Sequence, residues 1–477
     1  MGLPASPILS TLPRQSYAVL GLGVSGRATA IALRCAGLPV TVWDDQADRR
    51  AAARADGFSL RDPVADGTDG IDRLVLSPGI PRAHPAPHPA VAACLDADVD
   101  IVGDIDLLAQ ARPAARLIGI TGTNGKSTTT AVIGHLLQEA GVAASVGGNL
   151  GPAALGLTDP GPHGWTVLEL SSYQLETLTT PRWSVAVFLN LSNDHLDRYA
   201  DMAAYCAAKE RLIDHLSPGG TAVIGVDDGW CEGVAERAIA RGVRVVPVST
   251  TRPVAGGVSA LNGALVDNRT GHTVVHLATA KSLPGAHNWQ NAGAAYAVGR
   301  AIGIPADVIG QSLKSFPGLA HRQQRVRELP SATGGRIVFV NDSKATNAEA
   351  AAKALSSYDT IYWIAGGRPK AGGLEPLDPY RRRIRTAFLI GEGQDKFAAY
   401  LDGHVPYHRH TNLADAVEAA YDQALADGVQ DAVVLLSPAC ASWDQFTSFA
   451  ARGEAFEAAT AGLSARLLAH HGAEVPA

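Results

Sequence analysis

A glycine-rich segment followed by lysine and serine has the residue types and spacing of a phosphate-binding loop. Residues 119–128 read Gly-Ile-Thr-Gly-Thr-Asn-Gly-Lys-Ser-Thr, between an apolar run at 116–120 and a stretch with apolar residues at helical spacing. In a strand–loop–helix unit, backbone N–H groups bind phosphate, the lysine neutralises its oxygens and the serine can hold Mg²⁺. We therefore predict a polyphosphate site at Gly119, Gly122, Thr123, Asn124, Gly125, Lys126, Ser127 and Thr128.

Two other predicted strands end in groups that suit a divalent cation. Glu169 closes an apolar run, and a carboxylate beside a phosphate loop supplies the oxygen ligand that Mg²⁺ prefers. The alternative is a strand-end carboxylate that faces water. Residues 190–198 read Asn-Leu-Ser-Asn-Asp-His-Leu-Asp-Arg after a second apolar run. His195, within this cluster, is a candidate metal ligand or substrate contact, although a lone histidine is more often neither.

A second glycine motif lies near the N-terminus. Gly21-x-Gly23-x-x-Gly26 follows a predicted strand, and Asp44 comes about 20 residues later. Such a turn places a diphosphate at a helix N-terminus, and the acidic residue can hold a ribose or a base. Any nucleotide diphosphate meets this description, so the motif alone does not select NAD, and a purely structural role for the glycines also remains open.

The C-terminal third contains three polar loops, 341–347, 366–370 and 437–446, each directly after a predicted strand. The carboxyl ends of parallel strands meet at one edge of a sheet, so these loops predict one binding face. Asn288 and Asn291 lie three apart at the start of a predicted helix. Their amides share a face and could reach one base edge, or Asn288 could cap the helix.

Alternating strand and helix signals over most of the chain predict an α/β fold with parallel sheets. We predict three domains: a Rossmann-like domain at 1–112, a central P-loop ATPase domain with a mixed sheet at 113–318, and a second Rossmann-like domain at 319–477. The stretch 245–283 has short alternating runs that are typical of a small antiparallel section.

Composition limits the classes of function. The chain has 477 residues and a formal net charge of −6, which gives no reason to expect nucleic acid as a partner. Five cysteines without metal-site spacing fit a reducing compartment. No apolar run is long enough to cross a bilayer. We expect a cytoplasmic monomer without membrane insertion.

The combination and order of these motifs resemble the Mur ligases, which build the peptidoglycan stem peptide, over nearly the whole chain. Further motifs resemble the branch that joins D-glutamate to UDP-N-acetylmuramoyl-L-alanine. The resemblance implies ATP on the central domain, the UDP-substrate on the first domain and D-glutamate on the third. The shared motifs lie at 122–127, 193–198, 287–291, 318–322 and 341–347, and those of the branch at 21–26, 77–80 and 437–446.

The resemblance also implies roles for single residues. Catalytic roles fall on Lys126, His195, Lys209 and Arg322. Two Mg²⁺ sites use Ser127, Glu169, His195 and Lys209, the last as a carbamate. Adenine contacts fall on Asn288 and Asn291, the ribose on Asp342 and the γ-phosphate on Arg322. The UDP-substrate is assigned to Ser25, Asp44, Ser77, Gly79 and Asn149, and D-glutamate to Thr346, Lys370, Ser442 and Phe449.

Two features depart from the family pattern. The segment from His195 to Lys209 is one residue shorter than expected, and Arg368 stands where an acidic residue is expected. Four other classes explain part of the chain. A folylpolyglutamate synthase lacks the first glycine motif, and other Mur ligases differ at 437–446. An NAD-dependent dehydrogenase leaves the phosphate loop without a role, and a nucleotide switch protein leaves the C-terminal third without one.

Overall fold

The computed structural model describes residues 9, 11–180, 182–194, 198–280, 282–369 and 372–472, with side chains described as far as residue 463. The chain forms two compact units. One comprises Met1–Leu277 and Asn288–Ser315, and the other comprises Ala278–His287 and Phe316–Ala477. Among the described residues, no helix is both long and apolar enough to span a bilayer.

The N-terminal part of the first unit contains a five-stranded sheet in the order β3-β2-β1-β4-β5, and all of its strand pairs are parallel. The carboxyl ends of its strands therefore meet at one edge, where β1 leads into the first glycine turn. The strands are β1 (Tyr17–Leu20), β2 (Val40–Trp43), β3 (Ser59–Leu60), β4 (Arg73–Leu76) and β5 (Asp100–Val102), and the helices are α1 (Val24–Cys35), α2 (Ala47–Ala55), α3 (Pro89–Asp96) and α4 (Asp104–Ala111).

The same unit contains a nine-stranded sheet in the order β14-β13-β12-β11-β10-β9-β6-β8-β7. Only the β12–β13 and β13–β14 pairs are antiparallel. The strands are β6 (Arg116–Thr121), β7 (Ala144–Gly148), β8 (Trp165–Glu169), β9 (Trp183–Phe188), β10 (Leu216–Gly225), β11 (Arg244–Ser249), β12 (Val258–Leu261), β13 (Ala264–Asp267) and β14 (His272–His276). The helices are α5 (Lys126–Glu139), α6 (Ser172–Glu176), α7 (Met202–Asp214), α8 (Gly229–Ala240), α9 (Ala286–Ala301) and α10 (Ala306–Ser315).

The second unit contains a six-stranded sheet in the order β15-β16-β20-β17-β18-β19, parallel except for the β15–β16 pair. The strands followed by the polar loops, β16, β17 and β20, are neighbours, which confirms a single edge. The strands are β15 (Gln324–Pro330), β16 (Arg336–Asn341), β17 (Ile361–Gly366), β18 (Ile384–Ile390), β19 (Tyr407–Arg409) and β20 (Asp431–Leu436), and the helices are α11 (Ala348–Leu355), α12 (Gln394–Leu401), α13 (Leu413–Ala426) and α14 (Phe449–Gly472).

The three sheets confirm the predicted α/β class and the mixed central sheet. The antiparallel section is smaller than predicted, because β11 pairs in parallel with both of its neighbours and only β12–β14 form a meander. Strand β15 was not predicted, since its run Gln324–Pro330 is rich in charge. The domain boundaries at residues 112 and 318 stay predictions.

Candidate functional site

The glycine loop between β6 and α5 adopts a conformation that requires glycine. Gly122 and Gly125 have φ of +146° and +83°, where other residues are strained. A Cβ on Gly125 would lie 2.2 Å from Oδ1 of Asn291, so the loop packs directly against α9. Gly119 lies inside β6, and a Cβ there would meet Leu212 and Trp183 at 2.7 and 3.0 Å. Close packing within the core therefore explains this glycine.

Asn190, directly after β9, holds the tip of this loop. Its backbone oxygen accepts from the Thr123 N–H at 2.9 Å, and its side-chain Oδ1 accepts from the Asn124 N–H at 2.9 Å. These two loop amides are therefore already engaged. The first-turn amides of α5, which begins at Lys126, have no acceptor within the helix and are the groups that suit a phosphate. Ser127 is buried in that turn and Thr128 is half-buried.

Two lysine amines converge on one carbonyl oxygen of the loop. Lys126 Nζ lies 2.8 Å from the oxygens of both Gly122 and Thr123, and Lys209 Nζ, from α7, lies 3.1 Å from the same Gly122 oxygen. Lys209 is 1% exposed and also lies over the ring of Tyr205. Burial, followed by the positive charge of Lys126, holds the pKa of the Lys209 amine well below its usual value. The shift favours the unprotonated, nucleophilic form of this amine.

Glu169 ends β8 as a buried carboxylate with one unsatisfied oxygen. Its Oε1 accepts from Asn149 Nδ2 at 2.7 Å, whereas its Oε2 is buried and has no hydrogen-bond partner in the described part of the chain. A buried carboxylate oxygen without a donor is costly unless a cation completes its environment. Glu169 ends β8, and Ser127 lies in the first turn of α5, which follows the neighbouring strand β6; both supply the oxygen ligands that a hard cation takes. No group of three His, Cys, Asp or Glu placed for a metal occurs among the described residues.

Asn288 and Asn291 share one face of α9, as predicted. Asn291 Nδ2 donates to Asn288 Oδ1 at 3.1 Å, and Thr129 Oγ1 of α5 donates to Asn291 Oδ1 at 3.2 Å. The helix begins at Ala286, so Asn288 lies within its first turn and is not the residue that caps it. The two amides therefore line the loop side of α9.

The first glycine turn is held by a carboxylate and a hydroxyl. Asp44 Oδ2 accepts from the Leu22 N–H at 2.6 Å and from Arg49, and its Oδ1 accepts from the Gln46 N–H. Ser77 Oγ donates to the Gly21 oxygen at 2.6 Å. A Cβ on Gly26 would lie 1.8 Å from that same oxygen, so the turn closes only with glycine there. Burial alone would raise the pKa of Asp44, but the amide and arginine donors bring it below its usual value.

Of the other residues predicted to bind the UDP-substrate, Ser25 and Gly79 lie near this turn, whereas Asn149 contacts Glu169 after β7. Ser25 is half-buried in the first turn of α1, and the backbone oxygen of Gly79 accepts from Arg198. Arg198 also lies over the ring of Tyr173, at 4.4 Å from its centroid. His195 and Lys370 lie outside the described residues.

In the second unit, Asp342 directly follows β16 and is buried. Its Oδ2 accepts from Ser437 Oγ at 2.8 Å, and its Oδ1 accepts from the Gln323 N–H at 3.1 Å. Burial raises the pKa of Asp342 to about 7, although these donors and the charge of Arg322 act in the opposite direction. The Arg322 backbone closes a short bridge with Leu319.

The candidate D-glutamate residues lie on the loops at the same sheet edge. Ser442 is buried, and its oxygen accepts from the Phe446 N–H. Phe449 begins α14, its backbone oxygen accepts from Ser343 Oγ, and Lys344 Nζ lies 4.0 Å from the centre of its ring. Thr346 lies in the loop after β16, where its N–H donates to the Lys344 oxygen.

Sequence reasoning missed a buried arginine that ties these loops together. Arg452 is 1% exposed and donates to the backbone oxygens of Ser343, Cys440 and Ala441. Its only sequence signal is an arginine one turn after Phe449 in an alanine-rich helix. Arg368, which stands where an acidic residue is expected, pairs through Nε and Nη2 with the exposed Glu392 carboxylate at 3.1 and 3.0 Å.

Known proteins resemble the chain along nearly its full length. The Mur ligase middle domain matches residues 120–299. A UDP-N-acetylmuramoylalanine–D-glutamate ligase of Paramagnetospirillum magneticum is 51% identical over 439 residues, which cover 92% of this chain and 94% of that protein. A ligase of the same name from Caulobacter sp. (strain K31) is 48% identical over 94% of this chain and 96% of its own.

A solved structure shares the fold at low identity. The UDP-N-acetylmuramate–alanine ligase of Thermotoga maritima is 17% identical with a TM-score of 0.56, and the match covers 92% of this chain and 98% of that one. Together with the close relatives, this shows that the chain belongs to the Mur ligase family, among the UDP-N-acetylmuramoylalanine–D-glutamate ligases.

Proposed function

We propose that the protein uses ATP to join D-glutamate to UDP-N-acetylmuramoyl-L-alanine through an acyl phosphate, a step of peptidoglycan synthesis. One observation carries the proposal: the loop at 122–127 combines helix N-terminal amides with two lysine amines on the Gly122 oxygen. The helix N-terminal amides and the Lys126 ammonium place positive charge where a triphosphate would lie. The relatives at 51% and 48% identity carry the name of this ligase, which supports the same substrates.

The chemistry follows from the poor reactivity of a carboxylate. The carboxylate of the UDP-substrate attacks the γ-phosphorus of ATP, the bond to the β,γ-bridging oxygen breaks, and ADP leaves. Lys126 neutralises charge on the transferring phosphoryl group. The amine of D-glutamate then attacks the acyl carbon, phosphate leaves, and the amine releases a proton.

We propose that the first glycine turn holds the UDP-substrate. The N-terminus of α1 suits the diphosphate, and Ser25, Ser77 and Gly79 surround the turn. Asp44 supports the same site by fixing the Leu22 amide. Asn149, bonded to Glu169, contributes on the muramoyl side.

We propose that the polar edge of the second unit holds D-glutamate through Thr346, Lys370, Ser442 and Phe449. Arg452 supports this edge, since it joins the loop after β16 to the loop after β20. Arg322 and Asp342 keep the γ-phosphate and ribose roles that the family resemblance implies.

Ser127 and Glu169 would hold Mg²⁺, and the unpartnered Oε2 of Glu169 supports this assignment. The ion would supply charge neutralisation for the phosphoryl group. A second ion would need a further anionic ligand. We propose that Lys209 supplies it as a carbamate: its neutral amine attacks carbon dioxide, an N–C bond forms, and a proton is released. The lowered pKa of this buried amine supports the reaction. His195 would complete that second site.

We propose a cytoplasmic monomer. All five cysteines are free thiols, as expected in a reducing compartment. Light scattering coupled to gel filtration should give the mass of one chain, and the mass of two chains would contradict the monomer.

Phosphate release tests the function. Release should require ATP, UDP-N-acetylmuramoyl-L-alanine and D-glutamate together, without any change in NADH absorbance. If the substrate carboxylate carries ¹⁸O, the released phosphate should carry one ¹⁸O atom, because the acyl phosphate bridges through that oxygen. Release that does not need D-glutamate, or phosphate without label, would contradict the proposal.

A further inference from the structure

We propose that Asn190 and Gln290 form an amide relay that sets the phosphate loop in its ATP-binding conformation, as positioning residues that do not touch the nucleotide. The inference rests on the proposed function and extends it, because it names residues outside the loop that determine ATP affinity. No family motif described above assigns a role to either side chain.

The relay begins at a carboxylate that can only accept hydrogen bonds. Asp227 follows β10 and accepts from Ser249 Oγ at 2.5 Å, from Thr250 N at 2.8 Å and from Thr251 Oγ1 at 2.9 Å. Burial would raise the pKa of Asp227, but these donors bring it below its usual value, so the group stays ionised near neutral pH. An ionised carboxylate offers no donor to its neighbours.

This acceptor fixes the orientation of Gln290. Gln290 Nε2 lies 3.4 Å from Asp227 Oδ2, and with the amide in that orientation its Oε1 faces Asn190. A Cβ on Gly225 would lie 2.9 Å from Gln290 Nε2, so the glycine at the end of β10 leaves the space for this side chain. Gln290 is 7% exposed.

Asn190 contacts both Gln290 and the phosphate loop. Asn190 Nδ2 donates to Gln290 Oε1 at 3.1 Å and to the Asn124 oxygen at 3.2 Å. Its Oδ1 is thereby directed to the Asn124 N–H, at 2.9 Å. If the Asn190 amide were reversed, its NH₂ group would face the Asn124 N–H, donor against donor. The backbone of Asn124 and the charge on Asp227 therefore favour the same orientation of the two amides.

These contacts fix the backbone at the tip of the phosphate loop. The backbone N–H and C=O of Asn124 both bind the Asn190 side chain, and the Thr123 N–H binds the Asn190 backbone oxygen. The tip of the loop is therefore fixed before a nucleotide arrives. A fixed loop avoids the entropic cost of ordering on binding. Loss of the relay should weaken ATP binding and leave binding of the UDP-substrate unchanged.

Calorimetry with a non-hydrolysable ATP analogue and Mg²⁺ tests the relay on the full chain. We expect Asn190→Ala to weaken binding about tenfold and Gln290→Leu about threefold. Because Gln290 acts through Asn190, the double variant should bind as weakly as Asn190→Ala alone. Asn268→Ala is the control variant: it removes two side-chain hydrogen bonds, to Val254 and Ser259, whereas Asn190→Ala removes three. Asn268 follows β13, which is not a neighbour of β6 in the sheet.

Each outcome decides the proposal. Unchanged analogue affinity in folded Asn190→Ala, additive effects in the double variant, or an equal loss in Asn268→Ala would overturn the relay. If Asn190→Ala does not fold, Gln290→Leu alone decides by its affinity for the analogue relative to its affinity for UDP-N-acetylmuramoyl-L-alanine. Failure of the wild type to bind the analogue would instead contradict the proposed function.

Discussion

The first unit contains two strand–glycine–helix turns that are stabilised in opposite ways. The turn at 21–26 is held by the carboxylate of Asp44, whose two oxygens accept from backbone and arginine donors. The turn at 122–127 is held by the neutral amide of Asn190, and its Gly122 oxygen accepts from two lysines. The same backbone design therefore has an acidic support in one place and a cationic one in the other.

The buried carboxylates near the two turns, Asp44 and Glu169, differ in whether both of their oxygens accept hydrogen bonds. Asp44 is fully satisfied, whereas Glu169 has one oxygen without a donor among the described residues. A satisfied carboxylate contributes to stability, and an unsatisfied one reduces stability until a cation binds. The contrast agrees with the proposal that the first turn binds the UDP-substrate and that the second turn takes part in phosphoryl transfer.

The largest effect should come from removing the cation of the second turn. Lys126→Met should lower turnover by at least about 10²- to 10³-fold, since its charge acts where phosphoryl charge moves. Steady-state phosphate release measures the loss. Lys314→Met, at the exposed end of α10, is the matched control and should keep normal turnover. Near-normal activity in Lys126→Met would contradict the difference between the turns.

Substitution of Asp44 should mainly affect stability, and substitution of Glu169 should mainly affect activity. Asp44→Asn should lower the free energy of unfolding by about 1–3 kcal/mol, because the new NH₂ group would face a donor. Glu169→Gln should leave stability nearly unchanged and lower the affinity for Mg²⁺ in the phosphate-release assay. Urea unfolding and a Mg²⁺ titration of both variants give the comparison. Equal destabilisation by both substitutions would contradict the difference between Asp44 and Glu169.

Among the described residues, the buried amine of Lys209 beside the second turn has no counterpart at the first turn. Lys209→Ala should lower turnover by at least roughly 10- to 100-fold, because loss of even a residue that supports a metal ligand has an effect of that size. Added acetate or propionate should restore part of the activity, because either can supply the missing carboxylate. Lys209→Ala without rescue would place the carbamate in doubt, and Lys126→Met, which no carboxylic acid should rescue, is the control.

A third buried carboxylate extends the comparison to pH. The pKa of Asp342 is raised to about 7 by burial, against about 3.9 in an unfolded chain. Ionising it in the folded state therefore reduces stability as the pH rises from about 4 to 7. Relative to wild type, Asp342→Asn should be more stable at about pH 8 than at about pH 4.5. The difference is at most a few kcal/mol, since one pKa unit corresponds to about 1.4 kcal/mol.

Urea unfolding at the two pH values measures this difference. Asp44 should show the opposite sign, because its lowered pKa contributes stability that is lost as the pH falls below its unfolded value. The same pH trend in Asp44→Asn and Asp342→Asn would contradict the assignment of both environments.

Local patterns in the sequence were sufficient for both glycine turns and for the strands that precede them. Strands β1 and β6 are each a short apolar run with a turn directly after it. Strand β15 was missed because an edge strand such as Gln324–Pro330 needs no apolar run.

The supports of the loops were not predictable, because they join distant segments. Asn190 contacts Asn124 across 66 residues, and this pairing depends on β9 lying next to β6 in the sheet. Arg452 contacts Ser343 across 109 residues through the packing of α14. A single sequence contains the polar residues, but the order of the strands decides which of them meet.

Hydrogen exchange measured by mass spectrometry tests most directly which ligand each of the two turns binds. A non-hydrolysable ATP analogue with Mg²⁺ should slow exchange in peptides that cover 122–130 and leave those covering 21–27 unchanged. UDP-N-acetylmuramoyl-L-alanine alone should do the reverse. Protection of 21–27 by the ATP analogue, with none at 122–130, would contradict the account.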